Sequence, residues 1–279
     1  MTAQPPQIFD RALFRARRTR AAATAHAHGF LFDAVREEMR ERLDGIARRF
    51  AVGLDWAADA AIGAEKCAHM IAADPSTAWL KGRSGIVCDA DRLPFPDETF
   101  DLVLAGLPLH AVDDLPGALV QFRRALKPDG LFIGAAFGGR TLEQLREAFA
   151  AAELECEGGV SPRVAPFLDL RDGAHLLQRA MFALPVADTV ELTVRYADPL
   201  ALLGDLRGMG MTNVLAERRR APMKRRTLQR MGEIYLDRFA EVGRVPATFQ
   251  IVFLTGWAPH ESQQKPLRPG SARMRLAES

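Results

Sequence analysis

Short apolar runs separated by helical patterns constrain this chain more than any other feature. The runs occupy residues 50–54, 69–73, 85–88, 102–105 and 131–136, with helix-like stretches near 60–68, 114–126 and 140–156. A strand that is apolar along its whole length must be covered on both faces. Strand–helix–strand alternation supplies that cover, because each crossover lays a helix on a parallel sheet. The fold class is therefore α/β. Residues 30–49 precede the first run as an amphipathic helix, with Phe32, Val35, Met39, Leu43 and Ile46 recurring every three or four positions. Lys127-Pro128-Asp129-Gly130 ends one helix and feeds the run at 131–136, Gly130 supplying the turn. Pro94 and Pro96 make a rigid loop after the third run.

After about residue 185 the pattern changes. Residues 186–196 alternate as a strand, 199–242 are helical and polar, and 248–257 form a last strand. This order suggests an insertion that caps the ligand edge of the sheet. The expected organisation is a helical segment over 1–49, an α/β domain over 50–257 with its helical insertion at about 199–242, and a surface arm over 258–279.

Composition narrows the function classes. Of 279 residues, 48% are hydrophobic and 26% charged, which excludes collagen, coiled coil and wholesale disorder. Lys and Arg number 37 against 35 Asp and Glu, so no global field attracts nucleic acid. Cys67, Cys88 and Cys156 are widely spaced, which argues against a disulfide framework and a zinc site. No stretch reaches the roughly 18–20 apolar residues of a membrane span. The start is basic through Arg11, Arg15, Arg17, Arg18 and Arg20 and lacks the apolar core of a secretory signal.

Acids end three successive strands. Asp55 closes the first, Asp74-Pro75 the second and Asp89-Ala90 the third, while Leu107 opens the loop after the fourth. In open α/β sheets ligands bind outside the carboxyl ends of the strands. Asp74 can accept from both vicinal hydroxyls of a ribose, and Asp89 can meet an adenine amino group. The alternative is three ordinary loop-capping aspartates. His110 follows the fourth strand in Leu107-Pro108-Leu109-His110-Ala111 and is a candidate base or substrate-orienting group, or else a hydrogen-bonded loop histidine.

The stretch Asp89-Ala90-Asp91-Arg92-Leu93-Pro94-Phe95-Pro96-Asp97-Glu98-Thr99-Phe100-Asp101-Leu102-Val103, with Leu126-Lys127-Pro128-Asp129-Gly130-Leu131, resembles the class I S-adenosylmethionine (SAM) dependent methyltransferases. That resemblance implies a Rossmann-like, seven-stranded, mostly parallel sheet with helices on both faces. It also implies SAM as cofactor, held at Gly53, Asp55, Ala57, Asp74, Pro75, Asp89, Ala90 and Leu107, with His110 facing the transferred group.

A narrower resemblance runs along nearly the whole chain. It is carried by Ile8-Phe9-Asp10-Arg11-Ala12-Leu13, Phe132-Ile133-Gly134-Ala135-Ala136-Phe137-Gly138-Gly139, Asp205-Leu206-Arg207-Gly208-Met209-Gly210 and Val245-Pro246-Ala247-Thr248-Phe249-Gln250-Ile251. His260-Glu261-Ser262-Gln263 extends it into the tail. These blocks are similar to the complex I assembly factor 5 family of methyltransferase-like NADH dehydrogenase assembly factors. The implied substrate is a protein, a complex I subunit, and the implied chemistry extends to arginine hydroxylation. Two other readings stay open: an O-methyltransferase of the biotin-synthesis type acting on a carrier protein, and a non-catalytic scaffold with a degenerate cofactor site. Seven residues precede the first block, which suggests no presequence and a cytoplasmic, bacterial-type protein.

The sequence departs from the superfamily pattern at its glycine turn, where the three glycine positions hold Ala57, Asp59 and Ala61. A non-glycine residue in left-handed geometry costs roughly 1–2 kcal/mol. Two such positions would weaken binding by roughly 30- to 1000-fold. Asp59 would also face the methionine carboxylate. An aromatic residue usually follows His110 in the family, and here Ala111 does.

Arg218, Arg219, Arg220, Lys224, Arg225, Arg226 and Arg230 contain no acid among them, which suggests a solvated face or the docking site of an acidic partner rather than nucleic acid. His26 and His28 lack an evident third metal ligand. Gly208 and Gly210 suggest a tight turn over the cofactor mouth, or plain turns.

Overall fold

Three helices lead into the sheet: α1 (Arg11–Ala21), α2 (Ala25–His28) and α3 (Phe30–Asp44). The computed structural model describes residues 7–58, 62, 63, 65–80 and 82–264. Asp10 caps α1 by accepting from the Leu13 amide at 3.0 Å, which satisfies one of the orphan donors of the first turn. In α3 the expected periodicity holds: Val35, Met39 and Leu43 are buried and Phe32 packs against the same core.

The strands are β1 (Phe50–Trp56), β2 (Cys67–Asp74), β3 (Gly85–Val87), β4 (Phe100–Ala105), β5 (Leu126–Phe137), β6 (Ala183–Tyr196) and β7 (Val245–Trp257). They form one seven-stranded sheet in the order β3-β2-β1-β4-β5-β7-β6. The first five pair in parallel and β7 runs antiparallel between β5 and β6. The expected helix near 60–68 is not there: the described residues 62, 63, 65 and 66 are turns and β2 already begins at Cys67. Residues 59–61, with two of the three degenerate glycine positions, lie outside the described residues, as do 265–279 of the expected arm.

Helices cover both faces. Here α4 (Leu115–Ala125) and α6 (Leu170–Arg179) lie over one face, where Trp56, Phe122, Phe132 and Phe182 form the core. On the other lie α3, α5 (Glu143–Glu157), α7 (Pro199–Gly208) and α8 (Arg225–Phe239), packed around Phe249 and Phe253. Strand alternation sorts the side chains: Leu102 and Leu104 enter one core, Val103 and Ala105 the other. Residues 199–242 are not helical throughout. They form α7 and α8 with an irregular stretch between them. Both β6 and β7 meet this segment at the carboxyl edge of the parallel strands, so it emerges beside the ligand edge.

At the Lys127-Pro128-Asp129-Gly130 corner the left-handed residue is Asp129 (φ 62°) and not Gly130. Aspartate is among the few non-glycine residues that tolerate this geometry. Arg48 and Gln263 fix it, donating to Asp129 Oδ2 at 2.8 Å and to Oδ1 at 3.0 Å.

Candidate functional site

The order of strands reverses between β1 and β4, and the crevice of an open α/β sheet opens there. Asp55, next to the last residue of β1, is buried. Its Oδ1 accepts from the Ala58 amide at 2.8 Å, and Arg83 lies 3.6 Å from its Oδ2. Ala57 sits in left-handed geometry (φ 56°), where the superfamily places glycine. Its carbonyl rests so close on Gly106 that a Cβ at Gly106 would overlap it. The first turn is thus folded down onto the end of β4.

Asp74, at the end of β2, is 3% exposed, and Arg18 of α1 is 5% exposed. Arg18 engages both carboxylate oxygens, Nε on Oδ1 at 2.9 Å and Nη2 on Oδ2. The Ser76 amide also donates to Oδ1, at 2.8 Å. The Arg18 guanidinium lies 4.3 Å from the centre of the Trp79 ring, whose Nε1 donates to the Arg18 carbonyl at 2.7 Å. Arg15, one turn earlier, pairs with Asp89, and Arg11 with Asp91 and Asp113. One face of α1 therefore lays three arginines across the acidic edge of the sheet.

The sequence-expected residues fall into three places. Asp55, Ala57, Asp74 and Leu107 surround a cavity of about 30 Å³. Pro75, Asp89 and Ala90 line an adjacent crevice of about 20 Å³. His110 faces a third cavity, of about 190 Å³, between the 107–111 turn and the segment after α7. Gly53 joins none of them. It lies inside β1 beneath the Met70 side chain, which a Cβ there would displace. A cavity of about 30 Å³ has room for roughly two or three waters. With α1 docked, the described residues at this edge do not fit a molecule of the size of SAM, and the acid that would grip a ribose is already engaged by Arg18.

His110 is oriented by its own turn. Its Nδ1 lies 2.6 Å from the Leu107 carbonyl, an acceptor, so Nδ1 carries the proton. The ring packs on Phe137 and Phe167, with centroids at 4.7 and 5.9 Å. Burial, with a smaller push from the Arg18 cation, drives its pKa down to about 4, so the imidazole is neutral near pH 7.

Other candidates change meaning in three dimensions. The basic stretch finds acids from distant elements: Arg218 pairs with Asp10, Arg219 and Lys224 with Glu157, and Arg230 with Glu155, besides Glu233 on its own helix. The Thr227 hydroxyl and Arg219 hold the Glu157 carboxyl down to about 2. Gly208 and Gly210 do not form a turn over a cofactor. Gly208 lets the His28 ring close in, and Gly210 (φ 74°) packs on Ala21, so both seat the N-terminal helices on α7. His28 Nδ1 lies 2.7 Å from Asp205 Oδ1.

The residues that sequence reasoning missed are Arg11, Arg15 and Arg18. Their spacing places them on one helix face, and that was the available signal. The buried pair Glu153–Arg163 at the third cavity left none, since a lone glutamate inside a helix looks solvated.

Residues 51–134 match a methyltransferase domain model. Over 99% of this chain and 90% of the relative, the sequence is 36% identical to the mitochondrial "Arginine-hydroxylase NDUFAF5" of Danio rerio. Identity to its Homo sapiens counterpart is 39%, over 97% of this chain and 83% of the relative. A malonyl-[acyl-carrier protein] O-methyltransferase of Laribacter hongkongensis is 30% identical over 94% of both chains. Among solved structures, a Bacillus halodurans protein assigned as a methyltransferase superposes with a TM-score of 0.55 at 15% identity, over 80% of this chain and 98% of that one. That likeness shows the fold: a Rossmann-like class I methyltransferase sheet.

The expectation of a cytoplasmic protein is overturned by these comparisons, because the vertebrate relatives are mitochondrial proteins. An address peptide lies outside the folded domain, so the position of a family's first block carries no information about compartment. Among the described residues, no helix is long and apolar enough to cross a membrane.

Proposed function

Because the chain belongs to the family of the NDUFAF5 arginine-hydroxylases, built on the methyltransferase fold, we propose that it serves the assembly of respiratory complex I by acting on a protein subunit. The observation that carries this reading is identity of 36% and 39% across nearly the full chain, so that the N-terminal helices and the tail blocks align as well as the sheet. The test is deletion of the gene followed by assay of NADH:quinone oxidoreductase in membranes. Loss of assembled complex I, restored by the wild-type chain, is expected. Normal levels of the complex in the deletion strain would sink the reading.

The cofactor enters this reading with a restriction. Asp55, Ala57, Asp74, Pro75, Asp89, Ala90 and Leu107 stand where the fold would hold SAM, but the docked α1 occupies that edge. No step of the function is therefore routed through SAM, and the chain's part is to bind and place its protein partner.

The carrier-protein O-methyltransferase is the second reading, favoured by 30% identity over 94% of both chains. The basic stretch that would suit an acidic carrier is largely paired within the molecule, which weighs against it. Biotin auxotrophy of the same deletion strain would favour this reading over the first.

A further inference from the structure

The third cavity has a chemistry of its own. Its walls are aromatic and aliphatic, with Phe137, Phe149, Phe167, Leu145, Leu206 and Met223 among them. An apolar cavity of roughly 150 Å³ accepts benzene, so about 190 Å³ takes one ring with a small substituent. The polar groups at its walls are mostly spoken for. Asn213 donates from Nδ2 to the Pro162 carbonyl at 2.7 Å and accepts the Leu215 amide at 3.0 Å on Oδ1. Arg163 gives Nε to Glu153 Oε1 at 2.8 Å, and its Nη2 joins the same oxygen. Ser161 completes the Glu153 carboxylate from its amide at 2.7 Å. The charge of Arg163 is thus cancelled inside the wall, at a glutamate 1% exposed.

Among the described residues, no aspartate or glutamate lines the cavity. A cation entering it would find a neutral imidazole and a guanidinium already paired, and an anion would compete with Glu153 for Arg163. The anion loses its hydration without compensation, and a cation recovers only what aromatic faces and one imidazole lone pair return, with no counter-charge. His110 differs from the other polar groups. Its Nδ1–H is committed to Leu107, which leaves Nε2 as a lone-pair acceptor with no hydrogen-bond partner among the described residues. Thr212 adds a neutral hydroxyl to the same wall.

We propose that this cavity is a binding site for a small neutral ring that carries one hydrogen-bond donor, a phenol, with the donor on His110 Nε2. The site stands apart from the nucleoside edge and from the complex I reading, since it is assayed on the purified chain alone.

The experiment is calorimetric titration of the whole chain with four probes of similar size: p-cresol, p-xylene, benzylammonium and benzoate. p-Cresol is expected to bind about fivefold tighter than p-xylene, the yield of one net hydrogen bond. It should bind at least about tenfold tighter than either ion. His110→Phe keeps the ring packing and removes Nε2. It should abolish the preference for p-cresol while leaving p-xylene binding in place. Ala165→Phe, at the wall of the cavity, should weaken both neutral probes and serves if the first variant does not fold. Benzylammonium or benzoate binding as tightly as p-cresol would overturn the proposal. So would a p-cresol preference that survives in His110→Phe, or no binding of the neutral probes at millimolar concentration.

Discussion

The two halves of the ligand edge solve the same problem in opposite ways. Around β1, β2 and β3 the edge is acidic, and the arginines of α1 close it down to cavities of about 30 and 20 Å³. Around β4, β5 and β7 the edge is apolar and holds about 190 Å³. The match to the methyltransferase domain model, residues 51–134, covers the closed half and reaches only the first strands of the open one. Charge explains the difference. A row of carboxylates attracts a cationic helix, and the buried Arg18–Asp74 pair excludes solvent. Aromatic walls have no such partner within the chain and keep their space. In this molecule the half that looks like a cofactor site is the sealed half.

The largest test of that contrast is Arg18→Ala. It strands Asp74 as an unpaired buried carboxylate, and removing one partner of such a pair costs about 3–5 kcal/mol. Urea unfolding should show that loss, and Arg18→Ala combined with Asp74→Ala should recover part of it. Micromolar binding of SAM by the wild-type chain would break the contrast outright, because it would show that α1 yields easily.

The next effect belongs to the open half. The His110 pKa is about 4 in the folded chain against 6.5 for the ordinary group. Between those values the unfolded chain binds the extra proton, so stability falls as pH drops from 6.5 through 4. The expected loss is on the order of 3 kcal/mol. His110→Phe should remove that part of the slope in unfolding curves measured across this range. A third test is Glu153→Gln, which leaves Arg163 charged in the wall without its counter-ion. It should cost about 2 kcal/mol and admit benzoate to the cavity, as read by calorimetry. The smallest effect is expected from Arg15→Ala. Its pair with Asp89 is half open to water, so a change under about 1 kcal/mol that shrinks further in salt would fit the picture.

Much of this was legible in the residues. The parallel strands follow from short continuous apolar runs and the helix 30–44 from a period of 3.6, both of which a short window displays. The aspartates ending β1, β2 and β3 were legible as an acidic edge. The function of that edge was not, because its counter-charges sit in α1. The basic stretch after residue 217 was misleading for the same reason, its acids arriving from α5 and from Asp10. At the 127–130 corner the sequence suggested the glycine, yet the strain fell on Asp129, whose carboxylate Arg48 and Gln263 hold.

The sequence by itself determined the α/β layers, the parallel strands, the acidic strand ends and the family. These rest on local patterns of burial and on residue identity, which need no knowledge of what packs where. The tertiary structure alone decided which half of the edge is open. Arg18 and Asp74 lie 56 positions apart, and Asp10 and Arg218 lie 208 apart. Whether a charge faces water, a ligand or another charge depends on contacts that form only when distant elements pack. Low solvent access then makes those contacts decisive.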